Sequence, residues 1–151
     1  MYSAGEYVIC RSGGVWRIER IQDDKVCLAE HETSSIQICS PDVEIVRLVA
    51  DKETLQDAID RVGYIQTIQA VHDKQRHELY EDAMQQYEEV EWIRVIKTVY
   101  LRQQERRLPP EELAYSTRAK AYLHGEISVR LGMPVDAVEA FISQSVLNDE
   151  W

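Results

Sequence analysis

The spacing of apolar residues changes near residue 50, and this change constrains the fold more than any other feature of the 151-residue chain. Up to Leu48, apolar side chains occur in short runs with a period of two, which predicts β-strands. Turn-forming residues separate these runs at roughly ten-residue spacing. The predicted strands cover residues 7–10, 15–21, 26–29, 36–38 and 44–48. Five short strands spaced in this way favour a small, strongly bent sheet or a small β-barrel.

From Asp51 onward the apolar residues recur with the 3.6-residue period of an α-helix. Asp51 has the chemistry of a helix start, and Gly132 has the chemistry of a helix end. The predicted helices cover residues 51–62, 71–86, 89–106 and 110–131, with a last helix that opens at Pro134 and includes Val146. The sequence therefore predicts an α+β protein, with a β module of residues 1–50 followed by an all-α helical bundle of residues 51–151.

Motifs that would indicate catalysis do not occur in the sequence. There is no phosphate-binding glycine loop, no zinc-protease HExxH and no GxSxG nucleophile motif. His72 and His77 are five positions apart, so they do not share a helix face as a pair of metal ligands would. The three cysteines are widely spaced and form no CxxC pair. We therefore expect no enzyme activity, no cofactor, no metal and no small-molecule substrate.

Two signals that the sequence lacks bear on where the protein is found in the cell. The apolar runs are only a few residues long, far short of a membrane span. The first residues lack the basic start and apolar run of a secretion signal. We expect a cytoplasmic protein that does not enter a membrane.

The net charge of −10 argues against strong nonspecific binding to nucleic acid. The helical part carries most of this charge, with 12 basic and 19 acidic side chains. One basic segment interrupts it and consists of Arg94, Lys97, Arg102, Arg106 and Arg107. These cations could contact phosphates, or they could pair with the acidic helices around them, and we favour the pairing.

Two segments of the chain resemble the CarD family of bacterial transcription regulators. The first is YSAGEYVIC followed by GGVWRIERI, an aromatic residue, a Gly-acid turn and two apolar strands, with Val46-Arg47 at the end of the module. The second is RHELY followed by WIRVIKTVYLR, with Leu108, Glu112, Ala119, Leu123 and Glu126 downstream. The first segment is also similar to the RNA-polymerase-interacting domain of the transcription-repair coupling factor. Together the matches reach to about residue 131.

The resemblance implies an SH3-like or Tudor-like β-barrel module that binds the β subunit of bacterial RNA polymerase. By position, the polymerase-facing strand consists of Ser35, Ile36, Gln37, Ile38 and Cys39. Gln37 stands where some relatives have a basic residue. A small β module with an exposed edge can extend a partner's sheet through backbone hydrogen bonds, which agrees with this role.

For the helical part, the resemblance implies a contact with the upstream edge of the promoter bubble that changes the lifetime of the open complex. The DNA-facing residues would be Tyr64, Ile65, Ile68, Arg76, Arg94, Lys97 and Arg102. Relatives wedge a tryptophan into the minor groove, whereas residues 64–75 contain none. We therefore expect promoter DNA contact to be weak or absent. The alternative is an adaptor that binds a protein other than polymerase, or a module that self-associates through its acidic bundle.

Overall fold

The computed structural model describes residues 2–145 and contains one five-stranded antiparallel sheet. Its strands are β1 (Tyr7–Cys10), β2 (Val15–Gln22), β3 (Lys25–Glu30), β4 (Ile36–Cys39) and β5 (Ile45–Leu48). The strand order is β4-β3-β2-β1-β5. Successive strands from β1 to β4 are neighbours, and β5 returns to pair with β1 on the other side. This places β4 at one edge of the sheet and β5 at the other.

The turns between the strands use residues that tolerate unusual backbone angles. Gly13 and Gly14 link β1 to β2 with φ values of 116° and 77°. Asp23, with φ of 58°, starts the two-residue connection between β2 and β3. A short polar side chain makes this left-handed conformation accessible at low cost. The turns therefore fix the register of these two hairpins.

The expected mixture of a β part and a helical part is confirmed, but the sheet is not closed into a barrel. Over the described residues, β4 pairs with β3 alone and β5 pairs with β1 alone. The chain between them forms a single helical turn, α1 (Pro41–Glu44), opened by a proline. This turn carries the chain from one edge to the other without adding a strand that could bridge the two edges.

Within the described residues, five further helices follow the sheet. They are α2 (Lys52–Asp60), α3 (Asp73–Met84), α4 (Glu89–Glu105), α5 (Pro110–Leu131) and α6 (Val135–Ser145), and a 3-10 turn over Val62–Tyr64 follows α2. Asp51 caps α2 by accepting a hydrogen bond from the Thr54 amide. Gly132 ends α5 in the left-handed conformation. The predicted helices, their order and both of these caps are confirmed, while Val146 lies outside the described residues. Within the described residues, no helix has the length and apolar character needed to cross a bilayer.

The main hydrophobic core belongs to both parts of the chain. Ile9, Val15 and Val49 from the β module pack with Trp92 and Leu123 of the helical part in one buried cluster. A second, smaller cluster lies on the other face of the sheet and is made by Val8, Cys10, Ile18, Val26, Leu28 and Ile45. Because the larger core crosses the boundary near residue 50, the β module and the bundle are held against each other by buried apolar surface.

Candidate functional site

The edge of the sheet formed by β4 presents exposed apolar side chains. We define the β4 edge as residues 35–39, which are the five residues predicted to face polymerase. Ile36 and Ile38 are 60% and 65% exposed, high values for isoleucine, which is normally buried. On one side β4 pairs with β3 in a regular register, with Ile36 opposite Ala29 and Ile38 opposite Cys27. On its other side, no strand of residues 2–145 pairs with β4.

The outward face beside the β4 edge is shaped by two shallow concavities. One has a volume of about 240 Å³ and its lining includes Ile36, Glu30 and Arg17. The other has a volume of about 200 Å³ and its lining includes Ile38 and Lys25. The two isoleucines therefore form an apolar row with a depression at each end. Side chains of an added strand could fill such depressions, while the backbone supplies the hydrogen bonds.

The inward-facing side chains of β4 belong to the fold. Cys39 packs against the smaller core, on the face that carries Val26. Gln37 lies opposite Leu28 and its Nε2 is 3.5 Å from Ser12 Oγ. A strand added to the β4 edge would thus meet the alternate outward residues, Ile36 and Ile38.

Four cations that the resemblance assigns to DNA are engaged within the protein. The Nζ of Lys97 is buried and donates to the carbonyl oxygens of Val62 (3.0 Å) and Ile65 (2.8 Å). Arg102 holds the buried Glu112 through two hydrogen bonds of 2.6 and 3.2 Å. The other two cations act in the same way: Arg94 pairs with Glu91 and donates to the Gln66 carbonyl, while Arg76 pairs with Asp73 and donates to the Ala70 carbonyl. The carbonyl contacts of Lys97 and Arg94 hold the chain between α2 and α3 against α4.

The apolar residues assigned to DNA differ in exposure. Tyr64 is 83% exposed, whereas Ile65 is buried and Ile68 packs against the main core. The amide of Ile68 donates to Thr98 Oγ1 at 2.8 Å, which fixes the connecting segment on α4. Val71, which the sequence did not single out, is 85% exposed. Of the three predicted wedge residues, Tyr64 is thus the one that presents its side chain to a partner.

Arg47 forms the centre of a buried polar cluster where β5 meets the helices, and we call this cluster the junction. The Nη2 of Arg47 donates to Glu89 Oε2 (2.7 Å), and the Nη1 of Arg47 donates to Glu126 Oε2 (2.9 Å). Glu126 has no exposed surface and also accepts the Ala50 amide at 2.8 Å. The guanidinium lies 5.4 Å from the ring centroid of Trp92. The junction therefore ties β5 to α4 and α5.

Backbone groups of the β module are bound by α5 along several turns. The Tyr122 hydroxyl donates to the Cys10 carbonyl at 2.7 Å. Arg130 donates to the carbonyl oxygens of Val49 and Ala50. Between them, Gly125 lies so close to Val15 that a Cβ on Gly125 would be 2.6 Å from Val15 Cγ2. The sheet and α5 are thus in direct contact, and the β4 edge has a fixed position relative to the bundle.

The junction holds two carboxyl groups but one guanidinium. If both carboxyl groups were ionised, one negative charge would be left uncompensated, so a proton bound to one of them stabilises the cluster. Burial away from water, together with the adjacent Glu89 carboxyl, raises the pKa of Glu126 to about 8. Glu112, which is also buried, behaves differently. Burial opposes its ionisation, but hydrogen bonds from Arg102 and Tyr80 outweigh burial and lower its pKa. Glu126 is therefore largely protonated at neutral pH, whereas Glu112 is ionised.

The free energy of unfolding should fall as the pH rises from 6.5 to 8. Folded Glu126, with its pKa of about 8, still binds a large fraction of a proton in this range, whereas an unfolded glutamate with a pKa of 4.5 has lost its proton, so the folded state binds more protons. Burial lowers the pKa of His124 to about 4, so folded and unfolded His124 are both mainly neutral above pH 6.5. Urea unfolding at several pH values measures the slope. Glu126→Gln should flatten it, and Glu112→Gln should lower stability but keep the slope. An unchanged slope in Glu126→Gln would contradict the assignment.

The sequence matches no protein-family model, and a search of curated proteins finds no significant similarity. The structure of the described residues contains no group of three or more histidine, cysteine or acidic side chains placed to hold a metal ion. The β4 edge and the contacts that position it are therefore the features of the structure that bear on function.

Proposed function

We propose that the chain is a CarD-like transcription regulator that binds the β subunit of bacterial RNA polymerase through the β4 edge. The observation that carries the proposal is the exposure of Ile36 and Ile38 on a strand that, among the described residues, pairs with β3 alone. An edge of this kind gains backbone hydrogen bonds and apolar burial when a partner strand is added. The uncharged β4 edge lets such a strand approach without the cost of burying a charge.

The resemblance of the first fifty residues supplies the identity of the partner. In this proposal the antiparallel sheet of residues 7–48 is a Tudor-like module, and its open edge is the side on which the polymerase lobe adds its strand. The bound module would place the helical bundle beside the promoter, because the shared core and α5 fix the two parts together. The consequence for transcription would be a changed formation rate or lifetime of the open promoter complex.

Direct DNA contact has a small part in the proposed function. All four assigned cations are engaged by carboxylates or backbone carbonyls of the same chain, so these contacts compete with any contact to phosphates. Tyr64 is exposed and could stack against a distorted base step when polymerase holds the promoter nearby. Recruitment would thus come from the β4 edge, and any DNA contact would depend on it.

An isolated polymerase β lobe that carries the CarD-binding strand should retain the chain in a pull-down. Ile36→Arg should weaken binding by about tenfold or more, the effect of roughly 1.4 kcal/mol, because the added strand would bury an unpaired charge. Val43→Arg is the matched control, since Val43 is 68% exposed in α1 and lies outside the β4 edge. No retention of the unchanged chain, or equal retention of Ile36→Arg, would count against the proposal.

The alternative function is an adaptor that uses the same edge to bind a different protein. The engaged cations favour a protein partner over nucleic acid in either case, and strand addition is not in itself specific for polymerase. Proteins that co-purify with the chain from its own cells separate the two possibilities. Recovery of polymerase subunits supports the first proposal. Recovery of a different abundant partner without polymerase subunits supports the adaptor.

A further inference from the structure

The β4 edge has a sequence that is complementary to itself. Its three central residues read Ile36-Gln37-Ile38, so an antiparallel copy centred on Gln37 pairs each Ile36 with the Ile38 of the other chain. Ile36 and Ile38 are two positions apart on one strand, so they lie on the same face of the sheet, and both are exposed there. Four exposed isoleucines would therefore meet on one face of a continuous ten-stranded sheet. Cross-strand apolar pairs of this kind stabilise antiparallel sheets.

The β4 edge lacks the features that usually prevent strand edges from pairing. Such edges commonly carry lysine, proline or a bulge. Residues 35–39 include no charged residue and no proline, and β4 pairs with β3 without a register shift. The register shifts of the sheet lie elsewhere, between β2 and β3 near Arg20 and between β1 and β5 near Ile9. Nothing within the β4 edge itself therefore opposes addition of a second copy.

The concavities at the two ends of the β4 edge differ in the sign of their charged lining residues. The concavity beside Ile36 is lined by two acids and one arginine, and that arginine, Arg17, is bonded to one of the acids, Glu19. The concavity beside Ile38 is lined by Arg20 and Lys25 with one acid. Arg20 and Lys25 form no ion pair within residues 2–145. Antiparallel pairing places the acidic end of one copy against the basic end of the other, so a second copy complements this edge in charge as well as in shape.

We propose that a second copy of this chain binds the β4 edge through antiparallel β4–β4 pairing. The regulatory consequence rests on the proposed function: self-pairing covers the surface that polymerase would use, so the two binding events exclude each other. The pool of polymerase-competent protein then depends on its own concentration. A rise in concentration converts binding-competent monomer into dimer with a covered edge.

Sedimentation equilibrium of the full chain over a range of concentrations tests the self-pairing. The weight-average mass should rise from the monomer value of 17.6 kDa towards twice that value. Ile36→Arg and Ile38→Arg should remain at the monomer mass. In a dimer of either variant, two arginines would lie in the interface, each opposite an isoleucine of the other copy. Val43→Arg should behave as the unchanged chain. A mass that stays at the monomer value, or a dimer that both edge variants leave intact, overturns the proposal.

Addition of the polymerase β lobe to the same samples distinguishes this inference from the proposed function. Excess lobe should convert the dimer into a complex of one chain with one lobe. Dimerisation through the edge without lobe binding would contradict the proposed function and leave self-pairing in place. Lobe binding by a chain that stays monomeric at all concentrations would contradict self-pairing and support the proposed function. A complex that contains a dimer together with the lobe would contradict mutual exclusion.

Discussion

Replacement of Arg47 by methionine should lower the free energy of unfolding by about 3–5 kcal/mol, because it leaves two buried carboxyl groups without their cation. Glu126 is fully buried and Glu89 nearly so, and both bind the Arg47 guanidinium. Methionine retains most of the side-chain length over Trp92 but offers no hydrogen-bond donor. Urea unfolding at pH 7, followed by circular dichroism, measures the change.

Arg17→Met is the matched control for this experiment. Arg17 also pairs with a glutamate, but its side chain is 48% exposed and Glu19 is 33% exposed. Exposed pairs of this type contribute about 0–1 kcal/mol, so the control should lose little stability. If Arg47→Met lost no more than Arg17→Met, the junction would not be what holds β5 on the bundle.

Gly125→Ala should lower the free energy of unfolding by about 1–3 kcal/mol, the usual effect of overpacking a close contact. The sign is informative, since alanine in place of glycine within an exposed helix stabilises by about 1 kcal/mol. The new Cβ would lie 2.6 Å from Val15 Cγ2 and 3.0 Å from its Cβ. Val15 is buried and branched at Cβ, so its side chain has little freedom to move away. Chemical denaturation measures the loss.

A double-mutant cycle with Val15→Ala identifies the clash as the cause. Val15→Ala alone removes buried methyl groups and should also be destabilising. The double variant should be more stable than the sum of the two single effects predicts, because alanine at position 15 makes room for the new Cβ. Strict additivity, or a gain of stability in Gly125→Ala alone, would show that α5 and β2 approach each other less closely than described.

The secondary structure was predictable because the signals that determine it are local. The alternation of apolar residues in 15–21, the capping aspartate Asp51 and the terminal glycine Gly132 each act within a few residues. The helical turn over Pro41–Glu44 was missed, since four residues are too few to show a helical period. Closure of the sheet was overestimated because the pattern of single strands does not determine which edges meet.

The strand that forms the candidate site was also predictable, but the role of the basic residues was only partly so. The resemblance located the β4 edge, and alternation placed Ile36 and Ile38 on one face. The partners of Arg94, Lys97 and Arg102 lie 3 to 35 positions away in the sequence. The sequence indicated the contacts with acids, since we favoured pairing of the basic segment with the acidic helices. It gave no sign that Lys97 binds backbone carbonyls.

The junction could not be predicted from the sequence. Arg47 and Glu126 are 79 positions apart and no motif joins them. The sequence around a glutamate on an apolar helix face does not identify the cation that pairs with it, because that cation is brought near only when the chain folds. Gly125 likewise stands inside a helix without a turn to explain it, and its neighbour Val15 explains its size. These long-range contacts decide where the β4 edge lies relative to the bundle.

Hydrogen–deuterium exchange of the chain, with and without the polymerase β lobe, tests strand addition most directly. The amides of β4 that point away from β3 should exchange more slowly in the complex, since a partner strand would accept their hydrogen bonds. Amides of β5, at the opposite edge of the sheet, should keep their rates. Protection confined to β4 is the result that strand addition requires. Unchanged exchange in β4, with a stable complex present, would contradict it.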